Sequence, residues 1–456
     1  MLNGPLLPKI LLFAGPLMLT GILQLLFNAA DIIVVGRFAE NGEFALAAVS
    51  STSSLINLLV NVFMGLSVGA SVLVARLWGA RDGAGVSRAV HTAIAVSVAG
   101  GVIVAAVGFF FAGPLLTLMG SPADVLPLAT LYLRIYFLGM PVNMLYTFGA
   151  SILRAVGDTK RPLYYLIIAG IVNVVLNLLL VVVFRMNSGG KSVAAVAIAT
   201  VASQAVSMVL VILCLRRSSG PIHLDLKRLR IDGRSLGDIV RVGLPAGLQG
   251  SLFSISNVLI QSSVNSFGAA VVAGSGASAS IEGFVYVAMN SLYQADLTFA
   301  SQNAGAGKPD RVRRVMLCCL LSVTVIGLAL GLGVLALGRP LLSVYINTSS
   351  GNLDAILDAG MERMLVILPT YFICGAMDVM VGQLRGVGCS VIPMIVSLAG
   401  VCLFRVVWIL GFFPANHTLE FLFLSYPVSW IITLSAHMIT WFLAGERYLR
   451  RTAASA

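Results

Sequence analysis

Four carboxylates stand inside long apolar stretches of this 456-residue chain: Asp31, Glu282, Asp296 and Asp378. An acid at the centre of an apolar helix costs roughly 2.5–3.5 kcal/mol on insertion scales, a cost that a purely structural span has no reason to carry. What such a group can do is take up a cation. That cation can be a proton, a hard metal ion held through oxygen, or an organic cation drawn by charge.

Asp31 is the strongest of the four. Gln24, Asn28 and Asp31 follow at spacings of four and three, so they share one helix face. They read as a polar stripe directed inward rather than at lipid. Asn173 and Asn177, four apart, make a second stripe, and Thr200 sits within AIATVAS. For the amides, interhelical hydrogen bonding alone is the competing explanation. Arg134 is an available partner for Asp31. In the second half, Glu282 and Asp378 are the candidates for attracting an organic cation, with ion pairing to Arg363 or Arg405 as the alternative. Asp296 lies toward the end of its apolar run, where water could reach it. Asn257, Met289 and Tyr293 are candidates for lining the same cleft, thioether and aromatic groups being adaptable apolar surface.

The elements that must carry these residues follow from composition. Hydrophobic residues make up 58% and charged residues 10% of the chain, and the mean hydropathy is +0.98. A soluble domain carries roughly 25% charge, so lipid must serve as part of the solvent. Apolar runs of spanning length fall near 9–36, 46–74, 90–112, 124–149, 162–184, 192–214, 239–266, 270–300, 312–337, 355–384, 391–412 and 416–443. The predicted fold is therefore an all-α polytopic membrane protein of about twelve transmembrane helices. The first run continues to Val35 without a cleavage site and reads as a retained span. The six cysteines form no CxxC pair and read as small hydrophobes, and the four histidines are scattered.

The net charge of +11 is placed by its distribution. Connections on one side carry Arg76, Arg81, Arg88, Arg154, Lys160, Arg161, the basic stretch from Arg216 to Arg241, Lys308, Arg311, Arg313, Arg314 and Arg385. The other side carries Arg37, Arg185, Lys191 and Arg339. That asymmetry predicts both termini in the cytoplasm and an even number of spans. The longest polar stretch divides the chain into an amino-terminal six-helix lobe (1–214), a cytoplasmic linker (215–238), a carboxy-terminal six-helix lobe (239–444) and a tail (445–456).

The two halves resemble each other. Pro16 in AGPLMLTG faces Pro245 in GLPAGLQG, and Asn28 faces Asn257. WGARDGAGVSR (Trp78–Arg88) faces NAGAGKPDRVRR (Asn303–Arg314), and LRAVGDTKRP (Leu153–Pro162) faces LRGVGCSVIP (Leu384–Pro393). Six spans separate the copies, so the repeats are parallel, related by an axis along the membrane normal. Tight cytoplasmic turns favour Gly, Pro and Arg in any protein, which is the competing explanation. Pro16 lies inside the first span some four turns before Asp31, where a proline kinks a helix.

On these residues the chain resembles the MATE family (multidrug and toxic compound extrusion). The elements that carry the resemblance are LRxxGxxxxP in each half, QNAGAGKPDRVRR, and QLLFNAADIIVVG. It is more similar to the branch near DinF and MepA than to the NorM branch, whose seventh-span Glu is missing from GLQGSLFSISNVLIQ. The resemblance implies two six-helix lobes and export of small, often cationic, organic compounds by H+ or Na+ antiport from a bacterial cytoplasmic membrane, with a monomer expected. It places Asp31, Asn173, Asn177 and Thr200 around the coupling-ion site. Some relatives have an Asp where Asn177 stands, so one carboxylate remains here. Amide and hydroxyl oxygens leave sodium open, and Asp31 alone could carry a proton, which is favoured. No cofactor beyond the coupling ion is implied. A lipid-linked oligosaccharide or lipid flippase is the alternative, disfavoured because few arginines and no lysine lie within the spans. No HExxH, GxSxG or paired His and Asp marks an enzyme, and no nucleic-acid motif is present.

Overall fold

A chain segment in lipid has no water for its backbone N–H and C=O groups and must satisfy them internally, so each apolar run folds as helix. The structure is a computed structural model and describes residues 1–38, 42–118, 124–184, 186, 190–346 and 353–454. Arg185, expected on the weakly basic side, lies outside the described residues. The first six runs are α1 (Leu6–Phe38), α2 (Gly42–Gly79), α3 (Gly83–Leu118), the pair α4 (Leu126–Leu138) and α5 (Met140–Ala155), α6 (Lys160–Leu178) and α7 (Gly190–Arg217). The next six are α8 (Gly233–Asn265), α9 (Ala269–Gly305), α10 (Pro309–Ala336) followed by the short α11 (Gly338–Tyr345), the pair α12 (Leu353–Ile367) and α13 (Tyr371–Gly386), the interrupted α14 (Val391–Ser397) and α15 (Phe404–Val407), and α16 (Leu419–Thr440). A polar helix, α17 (Glu446–Ala454), follows.

Among the described residues ten helices are long and apolar enough to cross a membrane, and the α4–α5 pair, bent by 48°, makes an eleventh. α8 is as long but more polar at its start, where Arg234, Asp238 and Arg241 lie. Large apolar side chains such as Leu12, Phe110, Leu118 and Leu410 are exposed, as surfaces meeting acyl chains must be.

The chain divides into two compact units. One is Leu19–Gly247; the other joins Met1–Met18 to Leu248–Ala456. The core of the first is built on Met140, Met144 and Phe148 of α5, packed with Phe137 of α4 and Ile94 of α3. In the second, Phe13 from the start of α1 meets Phe299 of α9 edge-on, with ring centroids 5.7 Å apart. Met289, Met364 and Val379 complete that core.

The repeat seen in the sequence has a backbone counterpart. Two residues past the end of α5 stands Gly157 with φ +104°, and two past the end of α13 stands Gly388 with φ +91°. In each, the next residue donates its N–H five residues back (Asp158 to Leu153 and Cys389 to Leu384, both 2.9 Å), and the glycine donates three back. This is the left-handed helix stop for which glycine has no steric cost. The same pattern closes α2 at Arg81 and α9 at Gly307, where Asp82 and Lys308 bond to Leu77 and Asn303 at 3.0 Å. Loop chemistry alone would not place two such stops at matching points of both halves.

Within Leu19–Gly247, Gly65 and Gly69 of α2 pack on Gly243 and Gly247 of α8. A Cβ added to Gly243 would lie 2.6 Å from the Leu66 Cα, and one on Gly247 would lie 2.6 Å from the Val62 Cα. Two small-xxx-small steps let these backbones meet, a packing solution suited to helices in lipid. Gly65→Leu forces them apart. It is expected to lower the yield of monodisperse protein in detergent severalfold, checked by size-exclusion chromatography; an unchanged profile would count against this crossing.

Candidate functional site

The end of α1 brings Asp31 to α6 and α7. The Asn177 amide donates to Asp31 Oδ1 at 2.6 Å and to Asn173 Oδ1 at 3.3 Å. The Thr200 hydroxyl has one proton and two acceptors within reach, Asp31 Oδ2 at 3.3 Å and the Val196 carbonyl of its own helix at 2.9 Å. Asn173 and Asn177 are buried. Asn177 Oδ1, although buried, has no hydrogen-bond partner among the described residues. One carboxylate, two amides and a hydroxyl thus converge, and one oxygen in the group is unspent.

The other predicted members fall elsewhere. Gln24 and Asn28 are exposed, and the hydrogen bonds of Asp31 run to α6 and α7 rather than along α1. Arg134, considered as a partner for Asp31, donates to the Phe109 carbonyl at 3.2 Å and lies over the Phe109 ring. Two residues that sequence reasoning passed over stand near enough to Asp31 to feel its charge: Tyr132 and Tyr136 on α4. Their rings stack at 6.1 Å. The legible signal was two phenols one helical turn apart, but nothing in the sequence says which helix they face.

In the carboxy-terminal unit one of the three acids is already engaged. Glu282 on α9 is held bidentate by Arg363 on α12, with Nε to Oε1 at 2.8 Å and Nη2 to Oε2 at 2.9 Å. Ser278 donates a further bond at 2.8 Å. The guanidinium also bonds Ser275 and lies over the Phe423 and Tyr426 rings. The alternative weighed for Glu282, pairing with Arg363, is what the helices build, and it leaves no free charge there to draw a cation.

Asp378 on α13 is half-buried, with the Tyr286 hydroxyl and Arg385 as its polar neighbours. Arg385 donates to the Tyr293 hydroxyl at 2.9 Å and to Gln249 at 2.8 Å. Tyr293 is therefore a prop for an arginine. Met289 is fully buried in the core, and Asn257 is exposed.

Asp296, as readily solvated as not on its position in the sequence, is fully buried, and among the described residues neither carboxyl oxygen has a hydrogen-bond partner. The Cys319 thiol of α10 lies beside it. Gly382 of α13 packs so closely that an added Cβ would stand 3.3 Å from Asp296 Oδ2.

The family model described as MatE matches residues 16–179 and, a second time, residues 245–409. Each half therefore matches separately, as the internal repeat requires. The chain is 29% identical over 391 residues to the probable multidrug resistance protein YoeA of Bacillus subtilis, covering 85% of this chain and 82% of that one. It is 27% identical over 332 residues to a FAD transporter of Shewanella oneidensis, covering 72% of each. Among solved structures, a crystal structure of MATE in the bent conformation covers 98% of this chain and 96% of its own, with a TM-score of 0.85 at 21% identity.

Proposed function

Because this chain belongs to the MatE family, we propose that it is a secondary transporter exporting small organic compounds by H+ or Na+ antiport. The multidrug resistance protein among its relatives supports export of organic compounds. The observation that carries the coupling is the Asp31 cluster: an acid in an apolar helix, within hydrogen-bond distance of Asn177 and Thr200, beside an unspent amide oxygen.

The residues fit either ion. Sodium takes oxygen ligands, and Asp31, Asn173, Asn177 and Thr200 all offer them. A proton on Asp31 turns one acceptor into a donor, and Asn177 Oδ1 is the acceptor at hand once its amide rotates. Either cation removes the charge of Asp31 and so changes what α1 can hold against α6 and α7. Substrate then leaves in the other phase of the cycle, because each ligand binds one conformation better than the other. The protein lies in a bacterial cytoplasmic membrane, as its bacterial relatives suggest, and works there as a monomer; the positive-inside distribution puts both termini in the cytoplasm.

Efflux of a fluorescent substrate from proteoliposomes, under separately imposed pH and sodium gradients, tests this reading. A response to neither gradient would end it. Pro16 lies inside α1 and is the point at which the helix can bend when Asp31 is neutralised. Pro16→Ala is expected to cut efflux severalfold in the same assay, and wild-type rates in that variant would remove the bend from the mechanism.

A further inference from the structure

Three arginines lie buried in the carboxy-terminal unit: Arg363, Arg385 and Arg405. The first is matched by Glu282, and the second is bonded on both Nη atoms and faces Asp378. Arg405 has no such match. It is 4% exposed, and no carboxylate among the described residues lies within ion-pair distance. Its Nε donates to the Ser429 hydroxyl at 3.2 Å, and its guanidinium lies 4.2 Å from the centroid of the Tyr426 ring. The groups around it are Tyr426, Cys374, Cys402 and Tyr371, phenols and thiols rather than carboxylates. Among the described residues neither Nη group has a hydrogen-bond partner beside that Nε bond. A buried guanidinium with one bond and one ring face is under-compensated.

Its surroundings specify what would compensate it. Arg405 sits on the four-residue α15, between π-helical stretches at Leu398–Leu403 and Trp408–Phe412. Such stretches recur at functional sites. From Tyr426 a run of aromatic rings leads outward. Tyr426 meets Trp430 at 5.7 Å, Trp430 stacks on Tyr371 at 5.4 Å, and Tyr371 stacks on Tyr286 at 6.4 Å. Trp430 is 4% exposed and Tyr286 37%, so the run passes from the interior to an open ring.

We infer that this unit holds a binding subsite for a planar aromatic anion. Arg405 takes the anionic group through its free Nη donors, and the Tyr286–Tyr371–Trp430 run takes the ring system. The inference rests on the transport reading for its biological setting and names a substrate class within it. The acids expected to select cations do not oppose it, since Glu282 is neutralised by Arg363 and Asp378 faces Arg385.

The test is equilibrium binding to the full chain in nanodiscs by isothermal titration calorimetry, using 2-naphthoate, its neutral isostere 2-naphthamide, and inorganic phosphate. Naphthoate is expected to bind about tenfold or more tighter than naphthamide, the scale of one charge-assisted hydrogen-bond pair. Phosphate at equal concentration should not displace it. Arg405→Gln should remove the preference while leaving naphthamide binding within about twofold, and Arg405→Lys should restore part of it. Equal wild-type affinity for the two naphthalenes overturns the anion site, and so does a preference that survives Arg405→Gln. Displacement by phosphate overturns the aromatic part. The wild-type comparison decides the matter even if the Gln variant does not fold. Because no gradient is applied, failure here leaves the antiport reading standing, and failure of gradient-driven efflux leaves this one standing.

Discussion

Asp31→Asn is expected to reduce gradient-driven efflux to the level of protein-free liposomes, with the purified protein unchanged in yield and elution volume. The amide has the carboxylate's shape, and its new N–H donors find an acceptor in Asn177 Oδ1, which is buried without a partner among the described residues, once the Asn177 amide rotates. Folding therefore has no reason to suffer. What disappears is the group that changes charge on taking up a cation, and with it the difference in affinity between conformations that coupling needs. A companion variant separates the two ions. Thr200→Val removes a hydroxyl that lies 3.3 Å from Asp31 Oδ2 and would ligate sodium through its oxygen. If sodium is the coupling ion, the variant should need several times more sodium for the same rate; if the proton is, its response to a pH gradient should survive. Efflux by Asp31→Asn at wild-type rates under either gradient would remove this carboxyl from the mechanism.

The second large effect concerns stability. Glu282→Ala or Arg363→Ala should each destabilise the protein by about 3–5 kcal/mol, because removing one member of a buried pair strands the other charge. The pair is bidentate, both side chains are buried, and their remaining capacity is taken up by Ser278 and Ser275. Replacing both together, Glu282→Leu with Arg363→Met, should recover most of that loss, since an apolar pair of similar volume is often as stable as the ions. Thermal unfolding of the three variants in one detergent is the measurement. Losses that simply add in the double variant would show that the two side chains act independently and that the pairing geometry is not what holds them.

Much of this molecule was readable along the chain. Apolar runs had to become helices, since a spanning segment must bond its own backbone. The stops at Gly157 and Gly388 were legible as LRxxGxxxxP because glycine takes a left-handed turn at no steric cost, whereas the equivalent stop at Arg81 carried no such signal. Asp31 stood out because its desolvation cost is local and does not depend on which helices come near.

The partners were another matter. Asp31 meets Asn177 and Thr200 across 146 and 169 residues. Periodicity shows which residues share a helix face but not which helix that face meets, so Gln24 and Asn28 were grouped with Asp31 although they end up exposed. For Glu282 two arginines were available, and the packing of α9 beside α12 selected Arg363. Asp296 shows the same limit. α9 runs 37 residues, about 55 Å at the helical rise, well beyond the roughly 30 Å of a hydrocarbon core, so distance from a polar loop says little about exposure. The close approach of Gly382 and Cys319 buries that carboxyl. Backbone bonding and side-chain transfer cost are properties of a segment, and the sequence alone determined them. Pairing and burial depend on which surfaces touch, and those were decided by helix packing.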